Sequence, residues 1–288
     1  MPETNTFTIR PMKLADLDQA FGLSLNEGWN QTMQDWRLLF DNEENVCLVA
    51  EKDNMVAGTA TALNHDNKIA WVGMVLVDKS LRGQGAGKML LEEIIRRVKH
   101  VESVKLDATP AGEPLYCKLG FIAEYKIFRM TCSGLNYNSD SMSGKELYPV
   151  IRENLSDVLK LDSHVFGADR SYLLNNLMNG NPGRAYSLKK GNALSGYIFG
   201  RAGSRFNYIG PACALTHDSV RLLISKALES LNGEAIALDI LQDKEDLISW
   251  LETIGFVKQR HFVRMYLNGN PYPGIVNNQY LISGPEYG

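Results

Sequence analysis

Stretches alternating apolar and polar with a period of two are interleaved with stretches of helical period, the mark of a mixed α/β chain. Thr6-Phe7-Thr8-Ile9-Arg10 alternates like a short strand that Pro11 ends, and an amphipathic helix is predicted from Leu14 to about Asn26. A second helix carries Trp36, Leu38, Leu39 and Phe40. Val46–Ala50 reads as a strand, Asp53-Asn54 as a turn, and Val56–Leu63 as the returning hairpin partner. Ile69–Val77 is a further apolar strand, followed by the glycines of residues 83–87. Met89, Leu90, Ile94, Ile95 and Val98 then fall at helical spacing, predicting a helix from about Ala86 to Val98. A strand at Val104–Asp107, a short helix at Leu115–Leu119 and a strand at Phe121–Thr131 complete the first half.

The composition changes at residues 133–146, a Ser-, Gly- and Asn-rich stretch that reads as a linker. Beyond it the order of the first half returns. Val150-Ile151-Arg152 answers Thr8-Ile9-Arg10, and Leu155–Val158 answers Leu14–Leu17. Ala237-Leu238-Asp239 answers Lys105-Leu106-Asp107, and Trp250–Phe256 answers Leu115–Phe121. Four matches in one order indicate an internal duplication. The expected organisation is a domain over residues 1–132, a linker over 133–146 and a second domain over 147–288. Each is an α/β (α+β) unit with its own mixed, mostly antiparallel sheet flanked by helices.

Composition narrows the function. The net charge of −3 provides no basic field for nucleic acid. No apolar run approaches the roughly 20 residues of a membrane helix. The N-terminus lacks the pattern of a secretory signal. Cys47, Cys117, Cys132 and Cys213 have neither zinc nor disulfide spacing, which favours reduced thiols in a cytoplasmic protein. No metal site is expected.

The chemistry-bearing motif is Arg82-Gly83-Gln84-Gly85-Ala86-Gly87-Lys88, directly after a strand and opening a helix. Amides of a first helical turn and the helix dipole favour an anion, and glycines let a phosphate approach the backbone. The spacing fails both the dinucleotide-binding and the P-loop patterns: the first needs glycine at Lys88, the second glycine at Arg82 and Ser or Thr at Met89.

This loop resembles the R/Q-x-x-G-x-G/A signature of the GCN5-related N-acetyltransferase (GNAT) superfamily, and Leu115-Tyr116-Cys117-Lys118-Leu119-Gly120-Phe121 resembles that family's L-Y-x-x-x-G-F segment. The whole chain resembles a tandem subgroup with an active first repeat and a divergent second. Glu27–Asn30, Asp107–Gly112, Phe166–Arg170 and Gly284–Gly288 carry that likeness. The resemblance implies tandem GNAT folds and acetyl-CoA as cosubstrate, with Arg82, Gly83, Gln84, Gly85, Ala86, Gly87 and Lys88 around the pyrophosphate. It places Val75, Leu76 and Val77 along the pantetheine, a backbone N–H there (assigned to Leu76) as oxyanion donor, and Tyr116 as general acid. Thr109 stands where many members have asparagine, at one side-chain contact to the coenzyme.

Asp107 and Glu27 are the candidate bases, acting through a water. Trp29, Trp36 and Trp71 are candidates for lining an acceptor pocket, with the core favoured for Trp36, and Trp29 and Asn30, in a helix-end loop, are the better candidates for contacting the acceptor. At the second-repeat counterpart of the glycine loop stands Leu215–Arg221, without glycine, and Leu251 replaces Tyr116. The expected protein is an acetyltransferase acting on a small-molecule amine, a monomer with an internal pseudo-dimer. The alternative is a coenzyme-A-binding sensor without turnover.

Overall fold

The computed structural model describes residues 7–135, 137 and 146–288. The first half runs β1 (Thr8–Pro11), α1 (Leu17–Asn26), α2 (Met33–Phe40), β2 (Val46–Lys52), β3 (Met55–His65), β4 (Ile69–Val77), α3 (Ala86–Arg97), β5 (Ser103–Ala108), α4 (Glu113–Lys118) and β6 (Ile122–Cys132). The second half continues with β7 (Leu147–Pro149), α5 (Arg152–Phe166), α6 (Ser171–Gly180), β8 (Tyr186–Lys190), β9 (Ala193–Arg201), β10 (Asn207–Ala214), α7 (His217–Glu229), β11 (Ile236–Leu241), α8 (Glu245–Thr253) and β12 (Val257–Leu267). A short β13 (Gln279–Leu281) follows. Ala86, Leu90, Leu91 and Ile94 line one face of α3 and are buried against the sheet, as the helical spacing requires. Pro11 belongs to β1, at its end beside Leu48, rather than ending it from outside.

The mixed, mostly antiparallel sheets of the two halves are continuous with one another. The 13 strands of the described residues form one sheet in the order β1-β2-β3-β4-β5-β12-β6-β11-β13-β10-β9-β8-β7. With β13 set aside, the order reads the same from either end when each strand is exchanged for the one six places away. The last strands of the halves have crossed over: β12 lies against β5, and β6 lies against β11. They also pair with each other, from Val257 opposite Thr131 to Tyr266 opposite Ile122. The β1 counterpart is Leu147–Pro149, so Val150-Ile151-Arg152 falls just past it, at the entry to α5. The Trp250–Phe256 match holds at the backbone. Phe121 donates to the Tyr116 carbonyl at 3.1 Å and Phe256 to the Leu251 carbonyl at 3.0 Å. Most of the expected linker lies outside the described residues.

Two buried ion pairs hold the crossed strands in register. Arg264 of β12 faces Asp107 of β5 with bonds of 2.9 and 3.0 Å, and Arg129 of β6 faces Asp239 of β11 with bonds of 2.8 and 2.6 Å. They occupy equivalent positions in the two halves. A shared apolar core joins the halves on one side of the sheet, where Leu17, Trp36 and Leu39 of α1 and α2 lie in one cluster with Val158, Leu173 and Leu177 of α5 and α6.

Candidate active site

β4 and β5 run parallel from Ile69 beside Ser103 to Val72 beside Leu106, and their pairing ends there. β4 continues along β3 while β5 continues along β12, so the two diverge from Gly73 and Asp107 onward. A cleft opens in the gap, lined by Trp29, Gln31, Val72–Val75, Leu106, Asp107, Thr109, Tyr116 and residues of the second half. A bulge marks the point of divergence: the register passes from Thr59–Leu76 to Thr61–Gly73, setting Met74 and Val75 opposite Ala60. Met74 takes φ +49°, an uncommon conformation for a non-glycine residue. Two buried threonines fix the bulge, Thr59 Oγ1 donating to the Met74 carbonyl at 2.7 Å and Thr61 Oγ1 to the Gly73 carbonyl at 3.1 Å. Of the three β4 residues expected along the pantetheine, Val75 lines the cleft, while Leu76 and Val77 pair with Thr59 and Gly58 beyond it.

The glycine loop lies between the end of β4 and the start of α3. Gly83 and Gly85 have φ +77° and +93°, and no protein atom lies within 4 Å of where a Cβ would stand on either. The left-handed backbone demands glycine at these two positions, and the open space around them fits a bulky anion. Gly85 precedes α3 without any side-chain cap, so the first amides of Ala86, Gly87 and Lys88 are available to such a ligand. Arg82 and Gln84 complete the exposed loop. Arg82 is oriented by donating Nε to the Val77 carbonyl at 3.1 Å and by an ion pair with Glu27. Gly85→Asp is expected to place a carboxylate among the phosphates and to weaken acetyl-CoA binding severely; unchanged affinity by calorimetry would count against this loop as the phosphate cradle.

The remaining sequence candidates divide. Tyr116 lines the cleft, packed edge-on to Phe121, and burial pushes its hydroxyl up to about 12. Thr109 also lines the cleft, its Oγ1 accepting from the Gly112 amide at 3.2 Å. Trp29 lines it, Trp36 is buried in the core as expected, and Trp71 is buried in the core as well rather than lining the pocket. Asn30 is committed elsewhere. Its side chain donates to the Phe206 carbonyl at 3.0 Å and accepts from the amides of Arg205 and Phe206, tying the loop after α1 to the second half. Glu27 is held by Arg82 and lies 3.7 Å from Lys79 Nζ. Both oxygens of Asp107 are engaged by Arg264, although burial raises its carboxyl. Asp107 is therefore committed to an ion pair through both oxygens, whereas the contacts of Glu27 with Arg82 and Lys79 both fall on its Oε1.

A third carboxylate was not singled out from the sequence. The segment Gly284–Gly288 lies against the bulge of β4, with Glu286 so close to Gly73 that a Cβ on Gly73 would fall 2.8 Å from the Glu286 Cα. Trp71 Nε1 donates to the Pro285 carbonyl at 3.0 Å, and the Tyr287 hydroxyl reaches the Asp35 side chain at 3.0 Å. Glu286 lines the cleft and is buried, one carboxylate oxygen bonded to Arg201 and the other, Oε2, without a hydrogen-bond partner among the described residues. Burial raises its carboxyl, opposed by the Arg201 charge. Gln31, Arg129, Arg260 and Phe262 also reach the cleft. The available signal was the arginines standing inside apolar strands, as in Ile127-Phe128-Arg129-Met130 and Phe262-Val263-Arg264-Met265. Charges there require partners.

The equivalent gap in the second half is filled by the chain itself. β10 and β11 pair in parallel only from Asn207–Ile236 to Ile209–Leu238. Past that point β13 inserts between them, Leu281 opposite both Ala212 and Ile240. Thr216 caps α7 with its own side chain, Oγ1 accepting from the Ser219 amide at 3.3 Å, which occupies a donor left free at Gly85.

These features define the class. The chain belongs to the GNAT superfamily and is an acyltransferase: residues 14–121 match the acetyltransferase (GNAT) family and residues 158–281 an acetyltransferase (GNAT) domain. Over 274 residues it is 26% identical to the holothin acyltransferase of Pseudoalteromonas sp. (strain SANK 73390), covering 94% of this chain and 91% of that protein. Its fold is similar to that of a candidate acetyltransferase from Pyrococcus horikoshii, with TM-score 0.83 at 20% identity over 100% of this chain and 98% of the other. It is also similar to a tandem GNAT protein from the clavulanic acid biosynthesis pathway, with TM-score 0.66 at 15% identity over 91% and 98%.

Proposed function

We propose that the protein is an N-acetyltransferase that moves an acetyl group from acetyl-CoA to the amine of a small-molecule acceptor, in the first repeat only. The observation that carries this reading is the cleft between diverging β4 and β5, which joins Tyr116 and the bulge of β4 to an unpartnered carboxylate oxygen of Glu286. Acetyl-CoA supplies the acyl group already activated as a thioester. Residues 83–88 of the glycine loop bind its phosphates through backbone amides. The oxyanion donor is an amide at the bulge, at Val75, one residue before Leu76, because Val75 lines the cleft and Leu76 does not. Such a donor contributes a few kcal/mol.

Glu286 Oε2 takes one proton from the acceptor ammonium, and the second proton on that nitrogen passes to the leaving thiolate as the C–S bond breaks. A raised carboxyl suits that task better than an ordinary one. Tyr116 stays protonated at neutral pH, so it holds a hydrogen bond donor for the leaving thiolate. Full transfer from a group near 12 to a thiolate whose acid lies at about 8.5 is uphill. Tyr116→Phe is therefore expected to lower kcat, by about 10²-fold or more, with acetyl-CoA affinity retained. Full turnover in steady-state assays would reduce Tyr116 to packing.

The second repeat, residues 147–288, contributes Arg260, Phe262 and Glu286 to the cleft and takes no coenzyme of its own. The crossed strands support a monomer in which this repeat stands where a partner subunit would. Incubation with acetyl-CoA and a panel of amines, scored by thiol release, tests the assignment. Coenzyme binding without release across the panel would favour a sensor, and two coenzymes per chain would contradict the single site.

A further inference from the structure

Among the described residues, three buried polar atoms without hydrogen-bond partners belong to residues that line the cleft: Glu286 Oε2, Gln31 Oε1 and Arg260 Nε. Buried polar groups are nearly always paired, so three around one cleft point to a ligand that pairs them. Their signs are informative. Glu286 and Gln31 offer acceptors, and Arg260 offers donors and a positive charge. Arg129 beside it is already neutralised by both oxygens of Asp239. Arg260 forms no ion pair among the described residues. Its charge is disfavoured by burial and by Arg129, with Asp239 and Glu286 acting the other way and Arg205 adding to the repulsion. The cleft thus has an acceptor side for an ammonium group and a cationic side for an anion.

We propose that the acceptor is a small amine that also carries a carboxylate, as an amino acid does, its amine held at Glu286 and Gln31 and its carboxylate at Arg260. This rests on the reading of the cleft as the acetyl-transfer site. It explains why Arg260 is half-buried without a protein carboxylate. The guanidinium fork suits a planar carboxylate, and a point charge such as lysine would serve less well.

The test uses matched sets in which an α-amino acid, its carboxamide and its decarboxylated amine share one side chain. Each set is titrated calorimetrically into the full-length, coenzyme-A-loaded protein and assayed for acetyl transfer. In at least one set the acid should be preferred over its amide and amine by on the order of 10–100-fold, the worth of a hydrogen-bonded charge. Arg260→Gln should collapse that preference ratio, and Arg260→Lys should restore part of it, both variants melting near the wild-type temperature. Equal affinity throughout every set would overturn the inference, as would the absence of binding by every acid. A preference undiminished in Arg260→Gln would overturn it too. Acids that bind through Arg260 but are never acetylated would instead remove the acyl-transfer reading and leave the anion site standing.

Discussion

Glu286→Gln is expected to lower kcat by about 10²–10⁴-fold, the usual worth of a general base, while acetyl-CoA still binds at the glycine loop. The substitution keeps the shape and the contact with Arg201 but removes the proton acceptor at Oε2. The pH profile separates this role from a structural one. Burial raises the Glu286 carboxyl, so the active carboxylate is depleted at a higher pH than for an exposed glutamate. Wild-type kcat/KM should fall as pH drops through that raised value, and the variant should lack this limb. A variant with wild-type turnover and an unchanged acidic limb would place the base elsewhere.

Arg264→Met is expected to destabilise the fold by about 3–5 kcal/mol, because it strands Asp107 as an unpaired charge in the interior. The double variant Asp107→Asn/Arg264→Met should recover much of the loss, since neither partner is then left charged. Unfolding midpoints in urea measure both. Arg129→Met should behave in parallel through Asp239, with an added effect on activity because Arg129 also lines the cleft. A single-variant loss below about 1 kcal/mol at Arg264 would mean that the crossed strands are held by apolar packing alone.

The difference between what was legible in the sequence and what was not follows the range of the interactions. The strands, the α3 helix and the glycine loop are written in local periodicity and backbone chemistry. The sequence reading placed them within a few residues. The repeat was legible because Gly120 and Gly255, at φ +92° and +99°, end equivalent helices. The crossing of β6 and β12 was not legible, because a period of two states that a strand exists and not which strand it meets. Asp107 shows the consequence. At the end of an apolar strand it looked available as a base, yet Arg264, 157 residues away, occupies it. Glu286 was missed for the complementary reason. Nothing local marks a carboxylate in a Gly-Pro-Glu-Tyr-Gly stretch as lining a cleft, and its place there exists only once Gly73 and Trp71 receive that segment.

The crossed strands also bear on how the chain is made. While the ribosome still has the second half to synthesise, β5 and β6 have emerged but lack the neighbours that the finished sheet gives them. From the end of β6 to the end of β12 lie another 135 residues (267 − 132). At about 5–20 residues per second that interval lasts roughly 7–27 s. Throughout it the nascent first half presents unpaired strand edges, the kind of surface that pairs with other chains. Although the glycine loop and Tyr116 are translated early, β5 lacks its finished neighbour until β12 arrives. The folding of the first half is therefore tied to the completion of the second.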